Sequence, residues 1–408
     1  MRLKHLKSLL FIIPVLLLSS CSDDPTSVGL DLLSGDLVNV KDYDSQSDTI
    51  KQTSTIFIGD TTTIYASRIL IGQVPGEGNL KAQTMFTFSY GLADSLYSGI
   101  KDGSVKVIKA YLTMTPIYYY PTQTEASNMK FSVKRITALW YPYNIRNENV
   151  ESLLTIDPTD MVISSSTTLD PSDSTCHVEL NPTSVNDMLH NTTDTTYSLR
   201  DYGLVLQPTS GNGVVGFYST TGSTTYPPRL TFILEHTNSY VYEDTVTVSA
   251  YADLHTVSGS IPSNLQNQNE YMAVRGGQTL NTKLTFDLSK IPSNAIINKA
   301  QLELKYVSSL SHVADTNNYT FYGSLIGKDS ADQASWNYYW KTLTKSGDYY
   351  TGDITQFIQH WLTASNNLGM RIFQADELDG VDLFVLKGSK AASIYDRPRL
   401  KITYTTKK

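Results

Sequence analysis

The chain has almost no cysteine. Of its 408 residues only Cys21 and Cys176 carry a thiol, so no disulfide framework can staple the fold. No basic cluster flanks Cys176, which excludes the usual setting of a reactive thiolate and leaves a small buried side chain as its reading. Charge is scarce as well: Asp, Glu, Lys and Arg make up 17% of the residues, and the net charge is −7. Nucleic-acid binders carry a basic excess, so this balance excludes that class of partner. The apolar run Leu9 to Leu18 falls short of the ~20 residues that a membrane-crossing helix needs.

Catalytic motifs are missing too. Beyond the N-terminal run the histidines are His177, His190, His236, His255, His312 and His360. None forms His-Glu-x-x-His, and neither Cys-x-x-Cys nor Gly-x-Ser-x-Gly occurs. Gly211-Asn212-Gly213-Val214-Val215-Gly216 matches the glycine pattern of dinucleotide sites. Such a loop must open a helix, whereas strand-like Leu204–Leu206 and Phe217–Ser219 flank this one, so it reads as a β-hairpin turn. Asp376, Glu377, Asp379 and Asp382 crowd around Gly380. Clustered oxygens can hold calcium, but the spacing is not that of an EF-hand loop, and a solvated acidic turn is the plainer reading. No catalytic residue, metal ligand or cofactor is assigned, and the chain reads as non-enzymatic.

What is present begins at the N-terminus. Arg2, Lys4 and Lys7 precede the apolar run, which ends in Leu18-Ser19-Ser20-Cys21. A basic start, a short apolar core and small residues before a cut site make a secretory signal. The last four residues resemble the bacterial lipobox, which implies cleavage before Cys21 and lipidation of Cys21. More than one acyl chain would hold the protein on a membrane, where a single one is marginal. Ser22-Asp23-Asp24 is similar to the acidic export signal of Bacteroidota lipoproteins, which implies the outer membrane and its cell-surface face.

The mature part, about 388 residues (408 minus 20), is long for one domain and comfortable for two. Aromatics reach 11%, with 27 tyrosines, and Thr and Ser are abundant; this composition suits pleated, half-buried surfaces. Four blocks then recur in order. Thr84–Ser89 corresponds to Lys283–Ser289, and Ile108–Met114 to Ile297–Leu304. Val178–Pro182 with Tyr202–Leu206 corresponds to Gly352–Thr355 with Leu368–Ile372, and Pro227–Phe232 to Arg397–Ile402. Within a block, Leu302, Leu304 and Tyr306 alternate with Glu303 and Lys305, as in a strand with one face buried. Helices are expected after Asp353, with Ile354, Phe357, Ile358, Trp361 and Leu362 on one stripe, and after Asn181, with Val185, Met188 and Leu189 behind Pro182. The expected architecture is all-β: two tandem, related, jelly-roll-like β-sandwiches, each with one short helix. The boundaries read as a signal peptide at 1–20, a lipidated tether at 21–54, a first sandwich at 55–236 and a second at 237–408. The second copy would then lie farther from the membrane.

The second copy carries Phe286-Asp287-Leu288-Ser289, Ala300-Gln301-Leu302-Glu303-Leu304, Trp336, Asp353-Ile354-Thr355, Trp361, Asn367-Leu368-Gly369 and Pro398-Arg399-Leu400. Their order resembles the DNRLRE family of extracellular domains, which overlaps with a carbohydrate-binding-module family of alginate-type binders. The resemblance covers roughly 245–405. It implies a jelly-roll-like sandwich and, in some members, polysaccharide binding; it does not imply catalysis. The first copy departs from the pattern, with Tyr90 after Phe88-Ser89 and no tryptophan in its helix.

Sugar rings present apolar C–H faces that flat aromatic planes can cover. Trp336, Tyr338 and Trp340 would share one face of a strand, and Trp140, Tyr141 and Tyr143 are their counterparts in the first copy. These six are the candidate ligand contacts, with Tyr118, Tyr119 and Tyr120 flanking the same end; Trp361 belongs to the core. The expected function is non-catalytic polysaccharide binding by a lipid-anchored surface protein beside an outer-membrane protein complex. The alternative is a structural or adhesive surface lipoprotein that binds a protein partner.

Overall fold

The computed structural model describes residues 39–48, 50–59, 61–163, 174–192, 202–237, 241–266, 269–314, 320–327, 340–363 and 367–406. Cys21, the signal segment, Trp336 and Tyr338 lie outside the described residues. Two strands come first, β1 (Asn39–Asp44) and β2 (Gln52–Ile58). Ten follow: β3 (Arg68–Val74), β4 (Leu80–Phe88), β5 (Val105–Met114), β6 (Pro116–Tyr120), β7 (Lys130–Arg135), β8 (Cys176–Leu180), β9 (Leu204–Ser210), β10 (Gly213–Tyr218), β11 (Arg229–His236) and β12 (Tyr242–Ser258). The last nine are β13 (Tyr271–Arg275), β14 (Leu280–Phe286), β15 (Ile296–Lys305), β16 (Thr320–Leu325), β17 (Trp340–Ser346), β18 (Tyr349–Asp353), β19 (Met370–Gln374), β20 (Leu383–Lys387) and β21 (Arg399–Thr406). All named pairings are antiparallel and gather into two large sheets, so the fold is an all-β sandwich architecture.

Each sheet folds over its own apolar core. Phe86, Leu112, Phe131, Val178, Leu206, Phe217 and Phe232 fill the first; Phe286, Leu302, Phe321, Tyr350, Ile372 and Leu400 fill the second. A helix closes each. Helix α4 (Pro182–Thr192) lays Val185, Met188 and Leu189 on the first core, and Asn181 Oδ1 accepts the N–H of Thr183 at 2.9 Å. Helix α5 (Thr355–Thr363) lays Phe357, Ile358, Trp361 and Leu362 on the second, and Asp353 Oδ1 accepts the N–H of Thr355 at 2.9 Å. A side-chain oxygen satisfying a first-turn N–H is what fixes where such a helix begins. The first copy holds more than the one helix expected, adding α1 (Asp94–Asp102), α2 (Gln123–Ser127) and α3 (Val150–Leu153). The glycine-rich turn does join two strands, but they are not a hairpin: β9 pairs with β4 and β7, and β10 with β3 and β6.

The recurring blocks are β4 and β14, β5 and β15, β9 and β19, and β11 and β21. Their outer partners expose an exchange. Strand β12 pairs its first half with β11 and its second half with β4, shifting register between Ala250 and Ala252 as it turns the corner between layers. That extra residue is a bulge, which bends a strand and lets it serve two layers. In the second copy the equivalent partners take the N-terminal strands instead: β1 pairs with β21, and β2 with β14. The opening strands of the two copies have thus traded places. Residues 39–58 complete the second sandwich, and β12 completes the first.

This corrects the expected boundaries. Residues 39–54 are not tether, and the stretch 242–258 does not belong to the second sandwich. The first unit runs from about 62 to 258 and is inserted in the chain of the second. Its physical cause is that β1 is an edge strand: of Asn39–Asp44 only Tyr43 is buried, so the segment carries no apolar alternation to read. Polar contacts hold it instead. Arg399, of the Pro-Arg-Leu block, grips Asp44 through Nε at 3.1 Å and Nη2 at 2.6 Å, and Ser54 and Ser389 exchange N–H donors to each other's hydroxyls at 3.0 and 2.9 Å. The chain therefore builds part of the second unit before it enters the first.

The first unit's outer face is covered by the second. Ile69 and Ile71 of β3 point into the first core, while Leu70 and Val74 point the other way and pack with Tyr118, Tyr120 and Val214 against Ala314 and Val381 of the second unit. A strand buried on both faces reads as a continuous apolar run, as Ile69-Leu70-Ile71 does. The chain crosses between units twice, at 59–67 and 259–270. At the second crossing Ser260 N–H donates to Gly78 O at 2.7 Å. Gly78 has φ 77°, and a Cβ there would collide with that Ser260 carbonyl, so the close approach requires glycine.

Expression of fragments tests the exchange. Residues 237–408 lack β2 and β1, the outer partners of β14 and β21, and should give no cooperative melt, whereas 60–260 should fold and melt as a unit. A cooperative transition from 237–408 alone, followed by circular dichroism, would contradict the pairing.

Candidate functional site

Beside the first crossing lies an open cleft of about 710 Å³ between the units, a size common for ligand sites. One side is built on the outward register of β16, β17 and β19. In β19 Met370, Ile372 and Gln374 are buried, so Arg371 and Phe373 face out. Tyr322 stands opposite Phe373 in the pairing of β16 with β19, their ring centroids 5.8 Å apart. Trp340 opens β17 and meets Tyr322 edge-on at 4.4 Å. The Arg371 guanidinium lies 4.4 Å from the Phe373 ring centroid and pairs with Glu377. The other side comes from the first crossing and the first unit, with Thr61, Thr62, Tyr65 and Arg146. Tyr65 is 66% exposed, and Tyr143 meets its ring edge-on at 6.3 Å.

The acidic loop 376–382 forms part of the rim of this cleft. Asp376 is exposed, whereas the carboxylates of Glu377, Asp379 and Asp382 are bound by the protein. Asp379 Oδ1 accepts the N–H groups of Ser67 at 2.6 Å and Arg68 at 3.3 Å. Asp382 Oδ2 accepts the Tyr118 hydroxyl at 2.9 Å, and its Oδ1 accepts Ala314 N–H at 2.6 Å. Tyr118 in turn accepts Val381 N–H at 3.0 Å. Among the described residues no group of three His, Cys, Asp or Glu is placed to hold a metal ion.

Behind the loop lies a buried ionic knot. Arg275 of the second unit pairs with Glu77 of the first, both buried. The Tyr120 hydroxyl donates to the same carboxylate at 2.9 and 2.7 Å, and His312 Nδ1 lies 2.5 Å from it. A buried charge costs several kcal/mol unless it is paired and hydrogen-bonded, and this knot pairs the Glu77 carboxylate across the two units. Tyr118 and Tyr120, expected to flank a ligand end, are instead 1% and 0% exposed and serve the interface.

The six aromatic candidates divide. Trp340 is 60% exposed on the cleft. Tyr143 is exposed beside Tyr65, and Tyr141 is exposed. Trp140 is buried: it packs with Met85, Ile136 and Leu254, and its Nε1 donates to Tyr202 O at 2.8 Å. That is a correction, because an indole whose N–H is satisfied inside a core cannot also face a sugar. Trp336 and Tyr338 lie outside the described residues. Sequence reading missed Tyr65, Tyr322, Phe373, Arg371 and Arg146. A signal for Phe373 and Tyr322 did exist: each is an aromatic on the outward register of an alternating strand.

Neither a scan against protein-family models nor searches of curated proteins and of solved structures found a match.

Burial, foremost, pushes the Asp382 carboxyl from 3.8 up to about 6; burial does the same to Asp253, whose carboxylate accepts Thr220 N–H at 2.6 Å. An acid raised on folding keeps a proton that the unfolded chain has already lost. Its contribution is complete below pH ~4 and is lost as the pH rises through about 6. Asp382→Asn removes that loss. Relative to the parent, the variant should gain about 2–3 kcal/mol of unfolding free energy between pH 4 and pH 7, read by denaturant titration at both pH values. An unchanged difference would contradict the assignment.

Proposed function

We propose that this chain is a non-catalytic, polysaccharide-binding lipoprotein, held by lipid on Cys21 at the cell-surface face of an outer membrane and working beside an outer-membrane protein complex. The observation that carries the reading is the cleft between the units, with the exposed rings of Tyr65 on one side and Trp340 on the other. Large aromatic planes left in water are costly, and contiguous apolar exposure marks interaction sites. Stacking platforms flanking polar side chains match the amphipathic faces of a sugar chain. The resemblance of the second copy to the DNRLRE and carbohydrate-binding-module pattern points the same way.

The carboxylates favour binding over hydrolysis. Glycoside hydrolysis needs two carboxyl groups flanking the scissile bond. Here Asp376, Glu377 and Asp379 share one loop, Glu377 is held by Arg371, and Asp379 by main-chain N–H groups. Asn39 is 18 residue steps from Cys21 (39 minus 21), which span about 60 Å at most when fully extended. The anchor would join the second unit, with Asn39 within that radius of the lipid.

A second reading has its own observation: the stretch 139–153 exposes Leu139, Tyr141, Tyr143 and Leu153, which suits an adhesive surface that docks a protein. Affinity electrophoresis against a polysaccharide panel separates the two. Tyr65→Ala and Trp340→Ala should each weaken retardation about tenfold, the loss of about 1.4 kcal/mol of stacking, while Tyr141→Ala, away from the cleft lining, should leave it unchanged. Retardation by no glycan, or retardation indifferent to both cleft rings, would overturn the glycan reading in favour of the adhesive one.

A further inference from the structure

Resting on that reading, we propose that the cleft selects neutral glycan chains and rejects polyanionic ones. The reason is the charge of its lining. Asp376, Glu377 and Asp379 face it against two guanidiniums, Arg146 and Arg371. Arg371 is not available to an anionic ligand, because Glu377 holds it and Phe373 lies under its plane. Asp379 accepts the main-chain N–H groups of Ser67 and Arg68, donors that bring no formal charge to offset it.

Arg68 also stands beside this loop. It donates from Nη1 to the Asp379 main-chain carbonyl at 3.4 Å and lies over the Tyr118 ring. It is therefore turned to the interface. Burial, and after it Asp379, push the Asp376 carboxyl upward, with Arg68 opposing. The chain as a whole carries −7, so long-range steering repels anions as well. Like charges brought together at a binding surface cost several kcal/mol, and partial enclosure reduces solvent screening of that repulsion. A uronate or sulfated chain would lay a carboxylate or sulfate against this rim at each repeat. A neutral chain offers hydroxyls, which can donate to the same carboxylates. The alginate-type specificity that the sequence resemblance implies is thus the one this cleft disfavours.

The test uses the full mature chain in affinity electrophoresis and titration calorimetry, against neutral glucans, mannans and xylans and against polyuronates and sulfated polysaccharides. At low salt at least one neutral polymer should bind about tenfold or more tighter than any polyanion, a difference of about 1.4 kcal/mol. Raising NaCl to about 0.5 M shortens the screening length to a few ångströms. Polyanion binding should then strengthen severalfold, while neutral binding moves less than about twofold. Asp376→Asn should narrow the gap in the same direction. The salt series needs no variant and so stands even if Asp376→Asn folds poorly. A polyanion that binds best at low salt, weakens with added salt and depends on Trp340 would overturn the charge selection and leave the glycan reading standing. Binding of neither class would overturn both.

Discussion

The trade of opening strands is the constraint on which the rest of this molecule depends. Two domains joined by one linker are expected to move, since interfaces within a chain are usually modest and polar. Here each sandwich lacks its own corner and receives it from the other repeat: β1 and β2 cap the second sheet, and β12 caps the first. Neither unit can finish folding without chain that belongs, by repeat order, to its neighbour. Two crossings form a waist between the units, Gly59 N–H donating to Thr279 O at the first and Ser260 N–H to Gly78 O at the second.

The cleft lies beside that waist. The first crossing, residues 59–67, supplies Thr61, Thr62 and Tyr65 to its lining, and the Glu77–Arg275 knot with Tyr120 pairs charge across the two units. Neither copy carries this site alone: Trp340, Tyr322 and Phe373 are on the second unit, Tyr65 and Arg146 on the first. A duplication that merely doubled one binding surface would leave aromatic platforms on two separate faces. The exchange has placed unlike surfaces of two similar domains across one gap.

Much of the fold was legible in the sequence because it rests on local periodicity. The four repeated blocks fall on strands, Asn181 and Asp353 cap helices as their positions required, and Trp361 is in the core. What was illegible depends on contacts distant in sequence. Strand β1 buries only Tyr43 and is held by Asp44 with Arg399, a partner 355 residues away. Tyr118 and Tyr120 looked like exposed aromatics because their burial needs a second unit whose docking no single-strand pattern records. Trp140 and Trp340 share a composition cue, and only the local core that takes the Trp140 indole separates them. The double-sided apolar character of β3 was the one cue to the interface, and strand periodicity alone reads such a run as buried without saying by what.

Native-state hydrogen exchange tests the strand trade most directly, because it reports which amides open together. Amides of β1 and β2 should be protected and should exchange in one cooperative unit with β14 and β21. Those of β12 should exchange with β4 and β11. Unprotected amides through residues 39–58, with β12 opening together with β13 and β14, would show a tether followed by two sequential sandwiches and would contradict the account.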